Sequence, residues 1–172
     1  AWNTAEIRTG DADDLDAIQG FLRRTITAAR PSFASADPSD GTIVFAGACD
    51  RLTVVAPRPG LVDGDGAWMR MTFFVAPAAR SRALLLSWQE DAPPAAGQAS
   101  PPMVLLDHVA AVRFRYFGRP TADTPAAWFD SWNGGTSLPE LISIDIQRDN
   151  AARPAWPVQI VETRATTNSG CI

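Results

Sequence analysis

The sequence predicts an α+β fold in which one N-terminal amphipathic helix packs on antiparallel β-sheets. Three observations predict it. Apolar residues recur at helical spacing near the start of the chain, and the period then shortens to two and stays there. The period-two segments carry polar alternates and are separated by turn residues, as in antiparallel sheets with one wet face.

The helix is expected over about residues 11–30. Asp11 and Asp13 offer capping oxygens, and Asp14 and Asp16 suit the positive helix start. Leu15, Ile18, Leu22, Ile26 and Ala29 follow at three- and four-residue steps and form one apolar stripe. Pro31 ends the helix, because the residue before a proline is pushed out of the α region. Phe21 stands about 100° off the stripe. It is either peripheral core or a contact for another subunit.

The β-rich part is expected over about 42–164. Its strands are Thr42 to Ala46, Arg51 to Ala56, Trp68 to Val75, Ala83 to Gln89, Val109 to Phe117, Leu141 to Gln147 and Val158 to Thr163. Linkers lie at Ser32 to Gly41, at the proline-rich stretch Asp91 to Pro102, and at Pro120 to Ser137. No repeat or composition shift divides the 172 residues, so the chain reads as one domain.

Composition narrows the function. Net charge is −4, and the fifteen basic residues, all Arg, are scattered among acids. A nucleic-acid binder would show a basic face or stripe. The absence of Lys removes Schiff-base chemistry. His108 is the sole histidine and has no elbow, cysteine or metal motif around it, so it reads as a strand-end residue. Asp63-Gly64-Asp65-Gly66 has the spacing of a calcium-loop start. The twelfth position, which should be a bidentate Glu, is Phe74, so a hairpin tip is the better reading. No metal ligand set, cofactor or catalytic residue is expected, and the chain reads as a non-enzyme.

Cys49 and Cys171 lie 122 positions apart and fit no zinc motif. They are a candidate disulfide in an oxidising compartment, where closing so long a loop is worth about 4–5 kcal/mol. The rival reading is a buried Cys49 and a free Cys171. The six Trp supply either loop anchors or stacking platforms for sugars. Trp128 and Trp132 are read as structural anchors, with a carbohydrate-binding or adhesive extracytoplasmic β-domain as the alternative. An exposed, coplanar Trp pair would favour that alternative. No signal peptide or apolar run of membrane length occurs, and the start at Ala1 reads as that of a mature or trimmed chain.

The order of landmarks adds a resemblance. Ile43-Val44-Phe45-Ala46-Gly47 precedes the strand at Leu52 to Ala56. Val104 to Val109, Val112-Arg113-Phe114-Arg115-Tyr116-Phe117-Gly118, Trp128…Trp132, Leu138-Pro139-Glu140-Leu141-Ile142 and Trp156-Pro157-Val158 follow. Over roughly residues 15–164 this series resembles the J-type minor pseudopilins of bacterial type II secretion systems. The prepilin cleavage signature of that family does not occur in the sequence.

The resemblance implies a pseudopilin (type IV pilin-like) fold with a long N-terminal helix, of which the stripe from Leu15 to Ala29 would be the upper half. It implies a periplasmic domain, anchored to the inner membrane by an apolar helix further upstream. It also implies a structural role. Such subunits join I-type and K-type minor pseudopilins at the pseudopilus tip, support protein secretion across the outer membrane and are thought to meet the secreted cargo. Partner contacts would run along the helix, with Phe21 and Arg24 as candidates and Pro139 among the structural landmarks. The calcium site of the major pseudopilin is not a J-type feature and is not carried to Asp63 or Asp65.

Overall fold

The computed structural model describes residues 12–33, 41–58, 67–77, 81–91, 98–149 and 155–164. Among these, one helix, α1 (Ala12–Thr27), precedes ten strands. A six-stranded sheet has the order β5 (Met103–Leu106), β4 (Arg82–Glu90), β3 (Trp68–Pro77), β2 (Arg51–Pro57), β1 (Ala46–Gly47) and β8 (Trp132–Asn133). A four-stranded sheet has the order β10 (Gln159–Glu162), β9 (Leu141–Arg148), β6 (Val109–Gly118) and β7 (Ala127–Phe129). Every pairing is antiparallel.

The architecture corrects the expected α+β, pilin-like fold. The described chain is mostly β, built from two antiparallel sheets, and its single helix is short, at 16 residues, where a long N-terminal helix was expected. The physical reason lies in the core. Met71 and Phe73 of β3 and Leu84 and Leu86 of β4 meet Phe114 and Tyr116 of β6 and Ile142 and Ile144 of β9 in one apolar cluster. Two sheets cover each other's apolar faces, as sheet-on-sheet packing requires. The helix is left to close one side. It touches β2 of one sheet and β10 of the other, with Leu15, Ile18, Leu22 and Ile26 buried in the same cluster. Helical periodicity over four turns is a strong local signal, and it outweighed a core that the strands mostly supply.

The helix ends at Thr27, before Pro31. Its last turn closes with Ala28 N–H donating to the Arg24 carbonyl at 3.0 Å, and Arg30 N–H then reaches the Val55 carbonyl of β2 at 2.9 Å. Pairing along β3 is regular, with Met69, Met71 and Phe73 inward. Between Leu84 and Leu85 the register with β5 shifts, and there Ala83 and Leu84 are buried in succession.

Strand boundaries differ from expectation in the short elements. The run from Thr42 to Ala46 yields a strand only at Ala46–Gly47, and Ile43 makes a single bridge to Phe33. Short strands β7 and β8 arise inside the expected linker 120–137, and β5 follows the proline-rich one. Strands of two to four residues contain too few alternations to show a period.

Candidate interaction surfaces

Five of the landmark residues, Phe45, Gly47, Tyr116, Gly118 and Trp132, converge on the seam between the sheets. Phe45 meets the Tyr116 ring edge-on, with centroids 5.9 Å apart and planes at 90°. The Tyr116 hydroxyl donates to the Ala48 carbonyl at 2.8 Å and lies 3.3 Å from the Arg51 carbonyl. Ala48 lies in the β1–β2 turn and Arg51 opens β2, so β6 carries that turn on its tyrosine. Gly47 lies against the ring, where an added Cβ would stand 2.4 Å from Cζ. Gly118 adopts φ of 150°, and Trp132 packs over it. Burial pushes the Tyr116 phenol far above its ordinary value, with the charges of Cys49 and Asp50 adding in the same direction.

Trp128 and Trp132 part company. Trp128 lies on β7 of the four-stranded sheet, half-buried against Phe117 at 5.4 Å, with the Arg115 guanidinium 5.6 Å from its ring. Trp132 lies on β8 of the other sheet, is buried, and donates its Nε1–H to the Ser137 carbonyl at 2.9 Å. The four-residue spacing therefore marks a crossing between sheets. The two rings form no shared stacking platform. Pro139 is buried, and its carbonyl accepts from the Thr163 hydroxyl, while Glu140 N–H donates to the Phe117 carbonyl. The Leu138 to Ile142 landmark thus ties β6 and β9 to the end of β10.

The helix-face candidates fall in different settings. Phe21 is half-buried, with its ring 6.2 Å from Phe73 in an edge-on contact. Arg24 is exposed in the last helical turn.

His108 sits in the turn between β5 and β6 with φ of 52°. Its Nδ1 lies 3.2 Å from Asp149, and its carbonyl accepts from Asp149 N–H. Ser81 Oγ accepts from the His108 backbone N–H at 3.3 Å and not from the ring. These contacts hold a turn, and among the described residues the hydrogen-bond partner of the imidazole is Asp149.

Cys49 is exposed in the β1–β2 turn, and Cys171 lies outside the described residues. Asp63 and Asp65 also lie outside them. Among the described residues no group of three or more His, Cys, Asp or Glu is placed to hold a metal ion, and no helix is long and apolar enough to cross a membrane.

Two charged groups escaped sequence reasoning. The Asp91 carboxylate is fully buried, accepting from the Ser32 hydroxyl and from Arg70 at 3.0 Å. Arg30 lies beside this group with its guanidinium 3.6 Å above the Trp68 ring. Desolvation lowers the Arg30 pKa, and the charge of Asp91 opposes that shift. The network clamps the 30–32 segment to β3 and the end of β4. On the outer face of the four-stranded sheet, Asp130 bonds Arg113 at 3.0 Å and Arg115 at 3.3 Å. The Arg113 bond holds the Asp130 carboxyl below the usual carboxylate range. No sequence signal would have found Asp91, because its partners lie 21 and 59 positions away.

No protein-family model matches the chain, and no curated protein matches it.

Proposed function

We propose that this chain is a non-catalytic subunit of an extracytoplasmic assembly. Specifically, it acts as a J-type minor pseudopilin that joins I-type and K-type partners at the tip of a type II secretion pseudopilus. One observation carries the reading. The residues whose order makes the resemblance, Phe45, Gly47, Tyr116, Gly118 and Trp132, pack as one interlocked group in which each small residue makes room for a named ring. A series with such mutual constraints is a packing signature of a whole domain and not a chance alternation of apolar residues. Tyr116 and Trp132 are spent on that seam, where both are buried, while Trp128 lies half-buried against Phe117 with the Arg115 guanidinium near its ring.

The test is a pull-down of this domain against the soluble domains of I-type and K-type pseudopilins from the same genome, followed by size exclusion. A co-eluting complex is expected. Absence of binding to both at about 100 μM, where an interaction worth about 5 kcal/mol would be seen, overturns the reading. Glycan binding would then be measured instead.

A further inference from the structure

At one end of the four-stranded sheet, the close of β6 at Gly118, the start of β9 at Leu141 and the close of β10 at Glu162 lie side by side. The segment 119–122 leaves β6 there, and the segment 136–140 enters β9. Together with Pro31, Glu162 and Thr163 they wall a cavity of about 630 Å³. The walls are tied to one another. The Ser137 hydroxyl donates to the Arg119 carbonyl at 3.4 Å, and Trp132 Nε1–H holds the Ser137 carbonyl at 2.9 Å. Glu140 N–H reaches the Phe117 carbonyl at 2.8 Å, and Thr163 N–H the Glu140 carbonyl at 3.0 Å. Cavities of about 300–1,000 Å³ receive small-molecule ligands, so this one has room for a long side chain and the backbone that carries it.

The lining selects the occupant. Pro31, Pro120 and Pro139 have no N–H, so these positions offer no ladder donor to an incoming strand. None of the described lining residues is aromatic, and a sugar ring finds no face to stack on. Glu140 and Glu162 share the walls with Arg119, two acids against one base, which disfavours an anion. All three of these side chains are exposed, and none makes an ion pair among the described residues. Leu138 and Pro120, both half-buried, supply apolar surface beside the carboxylates. An apolar wall next to unpaired carboxylates matches a cationic head on a methylene stem.

We infer that this cavity receives a lysine or arginine side chain from an exposed loop of a partner protein. The inference rests on the subunit reading above and names the site that the partner would occupy. Glu140 and Glu162 supply the charge, and Leu138 and Pro120 the contact with the stem.

The experiment uses the complex formed with the I-type or K-type soluble domain. The double variant E140Q/E162Q keeps the side-chain shape and every backbone bond, so its circular dichroism is expected to match wild type. It is expected to weaken binding by about tenfold or more. Wild-type affinity should fall more steeply than that of the variant between about 0.05 and about 0.3 M salt. Glu90→Gln removes an exposed acid from the other sheet and should leave binding unchanged. A complex that E140Q/E162Q forms as tightly as wild type overturns the cavity assignment and leaves the subunit reading standing, as does an equal loss with Glu90→Gln. Absence of any complex overturns both. Self-association of this chain that E140Q/E162Q abolishes puts a second copy's arginine in the cavity and overturns the partner assignment. An oligosaccharide that shifts the NMR amide signals of Ser137 and Thr163 puts a sugar there and overturns the choice of a cation.

Discussion

Replacing Gly47 by alanine would place a methyl group 2.4, 2.7 and 2.8 Å from three atoms of the Tyr116 ring. Ordinary carbon contacts lie at about 3.5–4.0 Å, so ring and backbone must separate by roughly 1 Å. The ring is not free to yield. Its hydroxyl is held by the Ala48 carbonyl, and Phe45 stands against it. Overpacking at a fixed site costs about 1–3 kcal/mol, and for a domain of this length that lowers Tm by about 3–10 °C. Urea and thermal unfolding, followed by fluorescence and circular dichroism, measure the loss. The second half of the experiment is a double-mutant cycle with Tyr116→Leu. If the clash is the cause, Gly47→Ala should cost at least about 1 kcal/mol less when Tyr116→Leu is already present. A cost within about 0.5 kcal/mol in the wild-type background, or strict additivity in the cycle, refutes the reasoning.

Three further outcomes are expected. Tyr116 is the one tyrosine in the chain, so tyrosinate absorbance reports it alone. Its raised folded-state pKa contributes stability that is complete below the unfolded value of about 10 and is lost as pH rises beyond it. Phenolate should therefore appear together with unfolding and not before, and ionisation within the native state would contradict the burial. Asp91→Ala should destabilise by about 2–3 kcal/mol, because Ser32 and the three-quarters-buried Arg70 lose their acceptor; a midpoint in urea equal to wild type would count against the clamp. The Asp130 carboxyl, followed by NMR, should titrate below the usual carboxylate range, and Arg113→Gln should move it up. The corresponding stability is present at neutral pH and fades as pH falls through that lowered value. An unmoved titration would show that Arg113 is not the cause.

Much of the secondary structure was legible because it is local. The stripe from Leu15 to Ala29 marks α1, and the alternations in β3, β6 and β9 mark which side chains turn inward. Hydrophobic period is a property of neighbours along the chain, so it survives without any tertiary knowledge. The same locality misled the fold class, since a clear helix stripe says nothing of how much of the core the helix supplies.

Tertiary structure alone decided which sheet each strand joins, and with it everything nonlocal. Trp128 and Trp132, four positions apart, end in different sheets because the chain crosses the seam between β7 and β8. Gly47 is required by a ring 69 positions later, and α1 rather than a further strand of the described chain lies against the outer side of β10. Packing partners and free edges are set by three-dimensional closure, in which residues distant in sequence share one volume. The period of a sequence fixes the direction of a side chain, but not what waits on the other side.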